Sequence, residues 1–259
     1  MITPRALTCL CLLALAAAPA LGSQAECRKP TPAETAAAAK LSKGVKEAVE
    51  GPLTALGWKL QRRKSDEIPL SIGVDANPPR PLGSCWPLYA ATFAMSEASP
   101  RYAQLKAAYD KGLEAGTAWM GGCLKTLKGC DPKDQPAAMT AGEHASAAMN
   151  LEIRGGENTP YMRSPRSEPV NKIDVAGAAV AYWTEDQDPL VRKYTLCFGP
   201  WKPETVFSPS TSSVLFPFKH GKLTPYVENI CVNIRAAREI AEEIIGKIDW
   251  KPLNAALTP

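Results

Sequence analysis

The sequence predicts an α+β fold: a helical N-terminal half packed with or linked to an antiparallel sheet carrying a C-terminal helix. Three observations carry this. Residues 31–49 combine a helix-start signal with an Ala-rich run, and residues 100–149 keep apolar residues near helical spacing. Beyond residue 173 the pattern changes to short apolar or alternating runs, closed by one amphipathic stretch at 236–248.

The first 25 residues read as a secretory signal peptide. Arg5 precedes a short apolar core at 6–18, and Ser23-Gln24-Ala25 offers a small-residue cleavage site, with Ala18-Pro19-Ala20 as a second choice. That core is shorter than the ~20 apolar residues a membrane span needs. Thr31-Pro32-Ala33-Glu34 is a capping box with Pro at the first helical position, and Gly51-Pro52 is expected to stop the helix it starts. Trp58 to Arg62 and Ile68 to Val74 read as short strands, and 77–84 as a Pro-rich loop. Residues 85–96 read as an apolar helix. Ser99-Pro100 opens another, with Tyr102, Leu105, Tyr109, Leu113, Met120, Leu124 and Leu127 near helical spacing, and Pro136 to Met149 reads as a third.

Residues 155–172 (GGENTPYMRSPRSEPVNK) are polar and rich in Gly, Pro and Ser, the pattern of a flexible loop or linker. This divides the chain into a signal peptide (1–25), a mainly helical region (26–154), the loop (155–172) and an α+β region (173–259). Within the last, Ile173 to Trp183, Val191 to Phe198, Val214 to Phe218 and Tyr226 to Ile234 are strand candidates. Ile230, Val232 and Ile234 oppose Asn229, Cys231 and Asn233 in the last of these.

Composition limits the function classes. Hydrophobic residues make up 45% and charged residues 22%, which is ordinary for a globular chain. Thirty Lys+Arg against 26 Asp+Glu is too mild and too dispersed an excess for a nucleic-acid binder. Two His exclude imidazole-rich metal centres. Phosphate-cradling Gly-rich motifs are absent, so no cofactor is implied.

Six cysteines follow the signal: Cys27, Cys85, Cys123, Cys130, Cys197 and Cys231. An even set in an exported chain reads as disulfides, and the lack of Asn-x-Ser/Thr sequons favours a periplasm. Cys197 and Cys231 share the polar parity of neighbouring strands, the condition for bridging them. Cys123 and Cys130 enclose a tight loop, and Cys27 is left to pair with Cys85.

Gly83-Ser84-Cys85-Trp86 and the apolar run after it resemble the nucleophile segment of papain-like cysteine peptidases. His220 stands 135 residues beyond Cys85, within that family's Cys-to-His spacing of ~130–150. The resemblance implies a cysteine hydrolase with Cys85 as a thiolate nucleophile at a helix N-terminus and His220 as its base, with Asn229 or Asn233 orienting the ring. Leu82 and Pro79 depart from the family's pattern.

Glu143-His144 with Ser146 reads as a solvated helical face, and Glu185, Asp186 and Asp188 as a turn rather than a Ca²⁺ site. Arg62, Arg63 and Lys64, and Arg154, Arg163, Arg166 and Lys172, form two basic stretches without interleaved aromatics. The leading reading is therefore a non-catalytic, exported, disulfide-containing binding protein. Its partner is another protein, which it could neutralise, or an envelope component. Tyr161, Arg163 and Arg166 on the long loop are the expected contacts, because Tyr and Arg are enriched at interface hot spots. Export predicts that N-terminal sequencing of the mature protein begins at Glu26, and recovery of Met1 would overturn it.

Overall fold

The computed structural model describes residues 26–74, 80–126, 130–163, 169–208, 213–221 and 224–258. The signal segment lies outside these. In chain order the elements are β1 (Cys27–Arg28), α1 (Pro32–Ala55), β2 (Trp58–Arg63), β3 (Ile72–Gly73), β4 (Tyr89–Met95), α2 (Pro100–Thr126) and α3 (Ala137–Ala148). They continue with β5 (Asn150–Glu157), β6 (Tyr161–Arg163), β7 (Asn171–Lys172), β8 (Val180–Glu185), β9 (Arg192–Phe198), α4 (Pro203–Val206), β10 (Ser213–Leu215), β11 (Ile230–Ala236), α5 (Arg238–Lys247) and α6 (Pro252–Ala255). The α+β class stands: a helix-rich N-terminal part is followed by sheet and a C-terminal helix.

The main sheet has seven antiparallel strands in the order β2-β4-β5-β11-β9-β8-β7. Strands from both sides of residues 155–172 meet at its centre, where Ile230 faces Glu157 and Ala236 faces Leu151. One face is the core. Phe93, Ile153, Ile234, Leu196 and Tyr194 pack there under Leu41, Val45 and Leu53 of α1 and Ile240, Ala241 and Ile244 of α5. The stripe of Ile240, Ala241 and Ile244 follows the expected helical periodicity.

The helix α1 begins where its capping box places it. The Glu34 amide donates to Thr31 Oγ1 at 3.3 Å, and the Thr31 amide donates to Glu34 Oε2 at 2.7 Å. Arg28 adds a two-pronged ion pair that holds the Glu34 carboxyl below its usual range. The expected stop at Gly51-Pro52 is corrected: the helix continues to Ala55 with Pro52 inside its last turns. Continuing buries Leu53 in the core, and the helix ends where Gly57 takes a left-handed φ of 85°.

Three further expectations change. Residues 85–96 contain no helix; 89–95 form β4, with Tyr89, Ala91, Phe93 and Met95 on the buried face. That is a period of two, which the intervening small residues obscured. The strand expected at 68–74 shrinks to the two residues of β3, paired with β1. Residues 173–179 are irregular before β8, with Gly177 at a φ of 89°. The polar stretch at 155–172 is also partly regular. Gly155 to Glu157 finish β5, and β6 and β7 lie within it.

Helices α2 and α3 form an antiparallel hairpin with glycines at the crossing. A Cβ added to Gly112 would lie 2.6 Å from Gly142 Cα and 2.8 Å from the Ala138 carbonyl oxygen. The Gly-x-x-x-Gly spacing of Gly112 and Gly116 thus permits a close helix contact. Gly112→Val should force the hairpin apart and cost about 1–3 kcal/mol, the usual range for overpacking. Urea denaturation reads this as a lowered midpoint, and an unchanged midpoint would refute the close crossing.

Candidate functional site: the open face of the sheet

A buried polar cluster fixes the loops at one end of the sheet. Asn158 sits fully buried at a φ of 43°, an unusual conformation that Asn tolerates better than most residues. Its side-chain amide donates to the carbonyls of Leu82 (2.7 Å) and Tyr226 (2.8 Å), and its Oδ1 accepts from the Glu228 amide at 2.8 Å. Asn229, also buried, accepts the Thr159 amide on Oδ1 at 2.8 Å. Glu228 accepts the amides of Lys219 and His220, and lies 3.0 Å from His220 Nδ1. Gly199 belongs to this packing: a Cβ there would come 2.4 Å from the Glu228 carbonyl oxygen.

Next to Asn158, the Glu157 carboxyl is buried and accepts the Ser84 amide at 2.6 Å. Burial pushes its pKa up, against the Ser84 hydrogen bonds and the nearby Arg80 charge. Ser84 Oγ lies 2.6 Å from both the Trp86 carbonyl and Glu157 Oε1.

The second face of the sheet is open across β5, β11 and β9. Register places Glu152, Arg235 and Lys193 in one row, and Arg154, Asn233 and Thr195 in the next. Arg235 holds Asp186 through two hydrogen bonds of 2.9 and 3.0 Å, which keep the Asp186 carboxyl below its usual range. Arg154 pairs with Glu152, and Thr195 donates to Asn233 at 2.9 Å. Lys193 is in no ion pair among the described residues. Glu152, Arg154, Lys193, Asn233 and Arg235 line a groove of about 410 Å³.

Two structures border the groove. At one end Met162, Trp201, Val214 and Phe216 form a small apolar cluster over the Cys197–Cys231 disulfide. At the other, the α2–α3 hairpin stands off the sheet and leaves a cleft of about 590 Å³, which shares Glu152 and Arg235 with the groove.

The residues singled out from sequence fall in several places. Cys85 is bonded to Cys27, in a loop before β4. It is neither a thiol nor at a helix N-terminus, which corrects the cysteine-hydrolase reading. His220 instead stacks on Tyr226 at 3.9 Å and leans on Glu228. Asn233 faces Thr195, and Asn229 faces Thr159. Cys123–Cys130 and Cys197–Cys231 complete three bonds, paired as expected. Tyr161 and Arg163 bracket Met162 in β6, which pairs with β10, while Arg166 lies outside the described residues. His144 is exposed on α3. Asp186 and Asp188 form a turn in which each accepts a backbone amide two residues on. In the first basic stretch Arg62 pairs with Glu67, and Arg63 with Glu50 and Asp66.

Asn158, Glu157 and Glu228 were not anticipated from sequence, since nothing local marks a polar residue for burial. The parity of Asn233 against Ile234, continued to Arg235, was the available signal for the open face. No family model matches this chain, and no curated protein or solved structure matches it either.

The raised Glu157 carboxyl has a signed consequence. Its contribution to stability is complete below the unfolded carboxyl range and is lost as pH rises through its folded value. Glu157→Gln removes that titration, so the variant should gain stability relative to wild type between pH 4 and pH 8. Thermal melts across that range test it, and a constant difference between the two proteins would mean the carboxyl is not perturbed.

Proposed function

We propose that this chain is an exported binding protein, held by three disulfides, that engages an acidic protein or envelope component over the open face of its sheet. The observation that carries the reading is that face. A large sheet normally covers both faces or solvates one evenly. Here one face carries the core, and the other keeps a concave polar floor between two raised borders. Arg154, Lys193 and Arg235 supply the cations, and Lys193 is not neutralised by a neighbour.

In this reading Tyr161, Arg163 and Arg166 add contacts to the same partner. Gly156 lines the groove and pairs with Cys231, and Met162 packs in the cluster that contains Cys231. The strand β6 therefore stands at the rim of the groove. The disulfides support the oxidising, periplasmic compartment that the signal segment implies. Among the described residues no helix is long and apolar enough to cross a membrane.

An affinity pull-down from the native envelope, with the mature chain as bait, should retain one partner stoichiometrically. Binding should weaken as salt rises, because the contacts are charged. Arg163→Ala with Arg166→Ala, or Lys193→Ala alone, should weaken binding about tenfold, roughly 1.4 kcal/mol, without shifting the thermal melt. Retention of the partner by all these variants would refute this surface.

A further inference from the structure

We infer that the pocket between α1 and the turn at Trp86 binds one uncharged sugar unit with equatorial hydroxyls, of the glucose or N-acetylglucosamine kind. The site goes beyond the charged groove and stands on the chemistry of its own lining.

The pocket originates in the sequence of α1. One face of that helix carries Leu41, Val45 and Leu53 into the core, while Thr35, Ala39 and Ser42 recur along another at helical spacing. Side chains this small do not fill the space against residues 65–71 and 86–88, and a pocket of about 240 Å³ remains. Sites for drug-sized ligands run to ~300–1,000 Å³, so this one suits a single ring.

No charged side chain lines the pocket among the described residues. An ionic ligand would lose its water there and gain no counter-charge. The lining is divided instead between apolar surface, from Ile68, Leu70, Leu88 and Trp86, and the hydroxyls of Ser42, Ser65 and Ser71. Ser65 Oγ is buried without a hydrogen-bond partner. The hydroxyls of Ser42 and Ser71 take no hydrogen bond among the described residues either. A buried hydroxyl is costly until a water or a ligand completes it. A pyranose with equatorial hydroxyls carries the same division, with C–H groups on its faces and hydroxyls around its edge. Each of those hydroxyls can both donate and accept, which matches serines that have neither role filled.

Trp86 supplies the platform. It is 55% exposed, unusual for so large an apolar side chain, yet its backbone is held on several sides. Ser84 Oγ lies 2.6 Å from its carbonyl, the Cys85 amide donates to the Ser71 carbonyl at 2.9 Å, and Cys85 is bonded to Cys27. Pro87 restricts the chain on the other side. The negative face of an indole attracts the C–H groups of a sugar ring. A platform held in advance loses little freedom on binding.

Titration of residues 26–259 with cellotriose and with chitotriose, followed by tryptophan fluorescence and calorimetry, tests the inference. At least one of the two should bind saturably with a Kd at or below about 1 mM. Binding should be indifferent to salt, which separates it from any contact over Lys193. Trp86→Ala should weaken it at least about tenfold. Ser42→Leu, which fills the pocket and leaves Trp86 in place, should do the same. Ser65→Ala should weaken it about threefold without lowering the thermal melt, because it removes a hydroxyl that bonds nothing within the chain. Absence of a saturable signal from both sugars up to about 10 mM would overturn the inference. So would wild-type affinity in Trp86→Ala or Ser42→Leu proteins whose circular dichroism is unchanged, or in Ser65→Ala, which would leave that hydroxyl to water alone.

Discussion

The side-chain amide of Asn158 is the constraint on which the rest of the groove depends. It lies where three separate segments converge, and it bonds the carbonyls of Leu82 and Tyr226 and the amide of Glu228. The bonds to the Leu82 carbonyl and the Glu228 amide are buried, and either group left without a partner would cost about 1–3 kcal/mol. The same residue supplies the left-handed turn that carries the chain out of β5. Once Asn158 is set, Glu157 and Ser84 meet on one side, and Glu228 and His220 on the other. These contacts hold the loops at this rim of the sheet together.

Disulfides and buried polar contacts divide the work. Cys27–Cys85 ties the start of the chain to the loop before β4, and Cys197–Cys231 joins two residues directly opposite each other in the sheet. For a loop of that length the chain-entropy model assigns roughly 3–4 kcal/mol. Covalent links close the large loops, while Asn158, Asn229 and Glu228 orient what those loops present.

The parts of this fold legible from sequence are those with local signals. The Thr31–Glu34 capping box, the alternation of Ile230, Val232 and Ile234, and the stripe of Ile240, Ala241 and Ile244 each report their own surroundings. The parity of Cys197 and Cys231 sufficed to pair them. Where a residue's role is set by distant partners, the sequence misleads. Residues 85–96 look helical because alanines dilute the alternation of Tyr89, Phe93 and Met95. Gly155 to Glu157 look like a loop because glycines lead into Asn158, yet β11 pairs with them. The motif around Cys85 resembles a nucleophile segment only while its bond to Cys27 is unseen. The open face is legible in parity alone, since its charges become a groove only when β5, β11 and β9 are side by side.

The order of strands has a bearing on how the molecule comes into being. Strand β11 is the last of the sheet in sequence, yet it lies in the middle, between β5 and β9. A chain emerging from the ribosome can pair β2, β4 and β5 early, and β8 with β9, but these remain two fragments with open edges. Joining them waits for residue 236, and contacts between segments so far apart along the chain form slowly. Until then the two fragments stay unjoined, and the core that β11 completes between them is unfinished.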